Sequence, residues 1–225
     1  VGWLQRTVLS PIGLKFLAAL TGLGLVLFII VHMLGNLQIF LPDESFNEYA
    51  SGLHAFVLFP VIEIGLILAF AAHITIVLYL AGKNKEARGA RGYYVQDTKQ
   101  KPQFLARFLA SRWMVFNGVV LLLFMIVHIY DMRLQHDFVT TELNGDLKGH
   151  VKTVLGSIWH SLLYIIGSGL VGMHVFHGLQ SAFRSLAVHH PKYTPLIEKT
   201  SMGLGVALAA GFIAVPLWVL ATTGV

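Results

Sequence analysis

Four histidines, His32, His73, His128 and His174, each lie in a separate apolar stretch of the chain. An ionisable side chain within hydrocarbon is costly, so each marks a functional site unless neighbouring groups satisfy it. Imidazole is a strong ligand for iron, and a haem iron takes two axial groups. Four intramembrane imidazoles that meet two by two are thus a donor set for two b-type haems. The same residues would also suit a proton relay, or serve as polar core side chains bonded to neighbouring helices.

The elements that must position these rings are apolar helices. The chain has 225 residues, of which 56% are hydrophobic and 12% charged. Its mean hydropathy is +0.70. That composition excludes an ordinary soluble domain and predicts an all-α, multi-pass membrane protein. The net charge of +5 falls between apolar spans, where it reads as topogenic charge and not as a nucleic-acid surface. There is no cysteine, which excludes cysteine-ligated iron–sulfur clusters, disulfides and covalent c-type haem from this chain. Iron–sulfur clusters and substrate chemistry, if electrons move here, belong to partners.

A hydrocarbon core of about 30 Å needs about 20 residues of helix. Five stretches qualify: Leu14 to Phe40, Leu53 to Ala81, Trp113 to Tyr130, Ser157 to Phe183 and Met202 to Thr222. The third is the shortest, and an earlier start near Phe108 would lengthen it. The first is too long for a signal-peptide core and carries His32, so it reads as a retained helix. Glycines recur in the spans (Gly22, Gly24, Gly65, Gly118, Gly167, Gly169, Gly172), where small residues let helices or a flat macrocycle approach. No low-complexity linker divides residues 1–225, so one transmembrane domain is expected.

Arg6 and Lys15 flank the start of the first span. Lys83, Lys85, Arg88, Arg91, Lys99, Lys101, Arg107 and Arg112 fill the second connection, and Arg184, Lys192 and Lys199 the fourth. The first connection is acidic (Asp43, Glu44, Glu48), and in the third Arg133, Lys148 and Lys152 are offset by Asp131, Asp137, Glu142 and Asp146. The positive-inside rule then puts the N-terminus in the cytoplasm and the C-terminus outside. With a rise of about 1.5 Å per residue, His73 and His174 fall about 12–15 Å from the cytoplasmic ends, and His32 and His128 about 22 Å or more. Two levels result, an inner pair and an outer pair. Thr75, Ser168 and Ser181 are nearby hydroxyls for the non-ligating ring nitrogens. His177 follows His174 by three residues and faces the same way, so spacing does not choose between them.

The segments SPIGLKFLAALTGL, VHMLGNLQIF around His32, AAHITI around His73, MIVHIYD around His128 and HVFHGLQS around His174 occur in this order over nearly the whole chain. Together they resemble the membrane cytochrome b subunit of succinate:quinone oxidoreductases, in the single-chain, five-helix, di-haem type shared with some fumarate reductases. In that family the fourth ligand is followed at four residues by Gly and Leu. Gly178 and Leu179 stand there after His174, so the resemblance selects His174 over His177. It implies a flavoprotein carrying covalent FAD and an iron–sulfur subunit on the cytoplasmic face of the inner membrane. Electrons from succinate would pass by the inner haem (His73, His174) and the outer haem (His32, His128) to a quinone, commonly menaquinone. Fumarate reduction would run in reverse.

Arg184, Arg112 and Lys15 are candidate partners for haem propionates, and each is equally explained as topogenic charge. Glu63, in the outer half of the second span, is a candidate proton acceptor or quinone contact, with Glu48 behind it and a structural hydrogen bond as the alternative. His54, His136, His150, His160, His189 and His190 read as solvated or interfacial, and most Trp and Tyr residues as interface belts. Two competing functions are a di-haem b subunit of a hydrogenase or formate dehydrogenase, and a haem-free proton-coupled transporter. The order of the motifs disfavours the first, and the lack of paired broken helices disfavours the second.

Overall fold

The computed structural model describes residues 2–89, 113–135, 145–188 and 190–224. Arg91, Lys99, Lys101, Arg107, Arg112, His136, Asp137, Glu142, His189 and the earlier start near Phe108 lie outside the described residues. Every regular element among the described residues is a helix: α1 (Trp3–Val8), α2 (Pro11–Asn36), α3 (Asp43–Ala55), α4 (Phe59–Arg88), α5 (Met114–Ile129), α6 (Leu147–Leu155), α7 (Ile158–Ser185) and α8 (Thr194–Thr223). A 3₁₀ turn extends α2 through Leu37–Phe40, and a π-helical turn extends α5 through Tyr130–Leu134.

Five of these are long and apolar enough to cross a membrane: Pro11–Phe40, Phe59–Ala87, Met114–Leu134, Ile158–Ser185 and Thr194–Thr223. Local chemistry sets their starts. Ser10 caps α2, its hydroxyl accepting from the Gly13 amide at 3.0 Å, and Pro11 follows in the first turn, where its missing N–H costs nothing. The second span begins later than the hydropathy predicts. Leu53 to Ala55 end the separate helix α3, the chain extends at Phe56, and α4 starts at Phe59 with Pro60 in its first turn. Pro60 therefore opens a helix and does not interrupt one.

Helices α2 and α7 form the middle of the bundle. α4 packs chiefly on α2, α5 on α7, and α8 runs along α7 while also touching α2. Gly172 of α7 and Gly205 of α8 lie back to back, and a methyl group at either would collide with the other's carbonyl. Small residues at a helix crossing let backbones approach closely, which supplies packing that the hydrophobic effect does not supply within lipid. Side chains such as Leu27, Ile64, Ile67, Leu68, Leu123 and Val206 point outward, as a lipid-facing surface requires.

The short helices α3 and α6 sit at the end of the bundle away from the N-terminus, hereafter the capped end. Asp146 caps α6 by accepting from the Gly149 amide at 2.9 Å, and its carboxylate also accepts from Asn47 of α3 at 2.9 Å. Lys148 is buried, donating from Nζ to the Leu41 carbonyl and pairing with Asp43 at 2.7 Å. Its ammonium lies 5.4 Å from the Trp218 ring of α8. Lys152 joins the same clasp at 3.3 Å from Asp43. Beneath it Ile39, Leu155, Tyr164, Val215 and Val219 form a buried apolar core.

Both the helix crossing and the clasp can be tested. Gly205→Val should force α7 and α8 apart and cost about 1–3 kcal/mol by overpacking, read as a lowered thermal midpoint in detergent; an unchanged midpoint would refute the close approach. Hydrogen bonds from Lys148 and Lys152 hold the Asp43 carboxyl below its ordinary range. A depressed native value means that the clasp's contribution is complete above the unfolded carboxylate value of about 4. It disappears as pH falls through the lower native value. Intrinsic-rate-corrected amide exchange in α6 should thus stay flat from neutral pH down to about 4, rise as pH falls from there to the lower native value, and level off below it. Asp43→Asn should raise exchange at neutral pH and abolish the acid step.

Candidate functional site

The four histidines come to the bundle interior on four different spans: His32 on α2, His73 on α4, His128 on α5 and His174 on α7. Nearer the capped end, His32 and His128 meet directly, with ring centroids 5.8 Å apart and planes at 84°. Phe28 stacks on His32 from one turn earlier, at 5.3 Å and 18°. Phe124 does the same for His128 at 5.8 Å and 28°. Each ring is thus held by an aromatic four residues before it, the spacing that puts two side chains on one helix face. Phe212 of α8 lies 5.8 Å from His32, and Tyr164 of α7 lies 5.7 Å from His128.

Nearer the N-terminal end, His73 fits against α2 where Gly22 removes a side chain. A methyl at Gly22 would stand 3.1 Å from His73 Cε1. His73 Nδ1 is 3.2 Å from the Ala18 carbonyl and 3.2 Å from the Thr21 hydroxyl. Donation to the carbonyl places the proton on Nδ1 and leaves Nε2 with a free lone pair. His174 occupies the matching place against α5, where a methyl at Gly118 would stand 3.6 Å from its Cε1. The His177 ring packs on its neighbour Phe176 at 4.5 Å. Nδ1 of His128, Nδ1 of His174 and Nε2 of His177 are buried and have no hydrogen-bond partner among the described residues.

The hydroxyls that sequence offered are used otherwise or not seen at the rings. Ser168 donates to the Tyr164 carbonyl at 2.6 Å, one turn back on its own helix. The groups that do meet His73 and His32 are a backbone carbonyl, Thr21 and Asn36, the last with Nδ2 3.3 Å from His32 Nε2 and 2.8 Å from the His32 carbonyl. Helical periodicity already points to Asn36, one turn after His32.

Glu63 sits at the capped end in a two-point ion pair with Arg133, Oε1 to Nε at 2.7 Å and Oε2 to Nη2 at 3.3 Å. Arg184, at the other end of α7, is 58% exposed and lies 3.6 Å from Glu198 of α8. Sequence reasoning passed over Asp131, Tyr164 and His150. Asp131 is buried in the π-helical turn, three residues beyond His128; Tyr164 donates to its carboxylate at 3.2 Å. His150 is buried, not solvated, with Nε2 2.7 Å from the Asp131 carbonyl. A π turn often marks a functional segment of a helix, but no residue pattern announces one.

If the Glu63–Arg133 pair is mutual, Glu63→Gln should lower the thermal midpoint slightly, by about 1 kcal/mol or less. Exchanging the two residues, Glu63→Arg with Arg133→Glu, should restore it; a double variant weaker than either single one would show that the pair is not what holds them.

No family model matches this chain, and neither the curated proteins nor the solved structures contain a match to it.

Proposed function

We propose that this chain is the membrane anchor and electron-transfer subunit of a succinate:quinone oxidoreductase, holding two b haems between four histidines. The observation that carries the reading is the direct meeting of two imidazoles from separate spans, His32 and His128, 5.8 Å apart by ring centroid. His73 and His174, on two further spans and each seated against a glycine, are the pair this reading requires nearer the N-terminal end. Among the described residues no group of three or more His, Cys, Asp or Glu side chains converges on one metal position. Two imidazoles on one iron are the protein donors that a b-type haem would need.

The residues fit such a group in kind. In His128 and His174 the buried unpartnered nitrogen is Nδ1, which would need an acceptor of its own if Nε2 held the metal. His32 and His128 would hold the outer group between them, and Asn36 would keep its bond to the His32 carbonyl if His32 Nε2 were given to the metal. Bound haem supplies one-electron chemistry at a potential set by its ligands and their hydrogen bonds. The chain's own residues do the rest. Ala18 fixes the tautomer of His73. Phe28 and Phe124 fix the planes of His32 and His128. Gly22 and Gly118 leave room for the Cε1 edges of the His73 and His174 rings against neighbouring helices.

In this reading the N-terminal end faces the cytoplasm and receives electrons from an iron–sulfur subunit beside a flavoprotein. Lys15 and Arg184 then lie at the cytoplasmic end as partners for propionates. Arg184 would exchange Glu198 for that role. A quinone, menaquinone by resemblance, reacts near the capped end, with Glu63 as its proton acceptor or contact. Its pairing with Arg133 supports a structural task equally.

A dithionite-reduced minus oxidised spectrum of the purified chain with its companions should give two low-spin b haems per chain. His73→Ala should remove the inner haem and His128→Ala the outer. Glu63→Gln should lower quinone-linked turnover with both haems retained; normal turnover would take Glu63 out of the quinone chemistry. A folded sample that takes up no haem would overturn the cytochrome reading and return the histidines to proton transfer or packing.

A further inference from the structure

Asn117 is 2% exposed and lies on α5 facing α7. Its Nδ2 donates to the Leu170 carbonyl of α7 at 3.3 Å, which fixes the orientation of the amide. The other end of that amide, Oδ1, is buried and has no partner among the described residues. Leu170 is one helical turn before His174, and Gly118, the residue after Asn117, lies against the His174 ring at Cε1. Cε1 lies between the two ring nitrogens, and of these His174 Nδ1 is likewise buried and unpartnered. An unused acceptor and an unused ring nitrogen therefore share one helix interface, close together along it. Buried polar groups in a bundle are nearly always paired, directly or through an ordered water.

We infer that Asn117 positions His174 through one bridging water, which accepts from Nδ1–H and donates to the Asn117 Oδ1. The inference rests on the di-haem reading and deepens it at the inner site. The bond puts the proton on Nδ1 and frees Nε2 for iron, as the Ala18 carbonyl does for His73 on the opposite side. An acceptor on Nδ1–H makes the imidazole a stronger donor to the metal and favours the oxidised state. Asn117 is a positioning residue acting through His174.

The test compares Asn117→Leu with Asn117→Asp in the purified complex by redox titration and low-temperature EPR of both haems. Leucine keeps bulk and removes the acceptor. A neutral aspartic acid keeps both a donor for the Leu170 carbonyl and an acceptor for the bridging water. Asn117→Leu should raise the inner haem's midpoint potential and move its low-spin g values, with the outer haem unchanged. Asn117→Asp should return both toward the native values. If leucine abolishes inner haem binding and aspartic acid restores it, the inference also stands. Native inner-haem potential and g values in Asn117→Leu would overturn it, as would equal loss of that haem in both variants, which is a packing effect. A native complex without haem is a different result, and it would remove the di-haem reading itself.

Discussion

An imidazole placed in hydrocarbon has two ring nitrogens to satisfy and no water with which to do it. The bundle is arranged around that constraint. His73 meets it with a backbone carbonyl, reached because Gly22 lets the ring lie against α2. His32 meets it with Asn36 from its own helix. His128 and His174 each retain an unpartnered buried nitrogen, and these are the two rings on α5 and α7, the helices that face the others across the bundle.

The same constraint explains the spread of other polar groups. Ser168 turns its hydroxyl to the carbonyl of the preceding turn, and Thr21 does so while also touching His73. Asp131 is buried near the capped end, where Tyr164 donates to its carboxylate. Glu63 and Arg133 neutralise each other at the same end. Full charges thus keep to the ends of the bundle, and the middle holds neutral imidazoles, hydroxyls and the Asn117 amide.

Much of this was legible in the residues. The five spans follow from runs of apolar side chains longer than a membrane needs, and the two levels of histidine follow from counting along them. Helix boundaries at Ser10–Pro11 and at Pro60 were open to the same reading, and the second was misplaced because Leu53 to Leu58 are apolar enough to merge with the span. The cap was not legible. Helices α3 and α6 are 13 and 9 residues long and carry charges on much of their surface, so no apolar run announces them. Lys148 reads as loop charge in one dimension. It is buried only because Leu41 and Asp43 arrive from one distant segment and Trp218 from another. His150 is hidden for the same reason. Thr21 and Ala18 carry no signal, since the partner they offer to His73 lies more than fifty residues away along the chain.

The position of the cap follows from energetics. A lysine ammonium is costly to bury in hydrocarbon, but its cost falls steeply where carbonyls, a carboxylate and an aromatic face surround it and water is near. Lys148 has all three, and its aliphatic stem extends the apolar core beneath, in the manner of amphipathic side chains at an interface. Asp43 is left largely exposed, so the pair keeps one charge in solvent and avoids the full desolvation of a buried ion pair. The clasp closes α6 over Tyr164 and Asp131, which in turn pack beside His128. The imidazole pair near the capped end is therefore sealed by groups held from outside the hydrocarbon. The pair nearer the N-terminal end is seated by glycine contacts within it. A change in the cap bears on the first pair through Tyr164 and Asp131, and a change at Gly22 or Gly118 bears on the second.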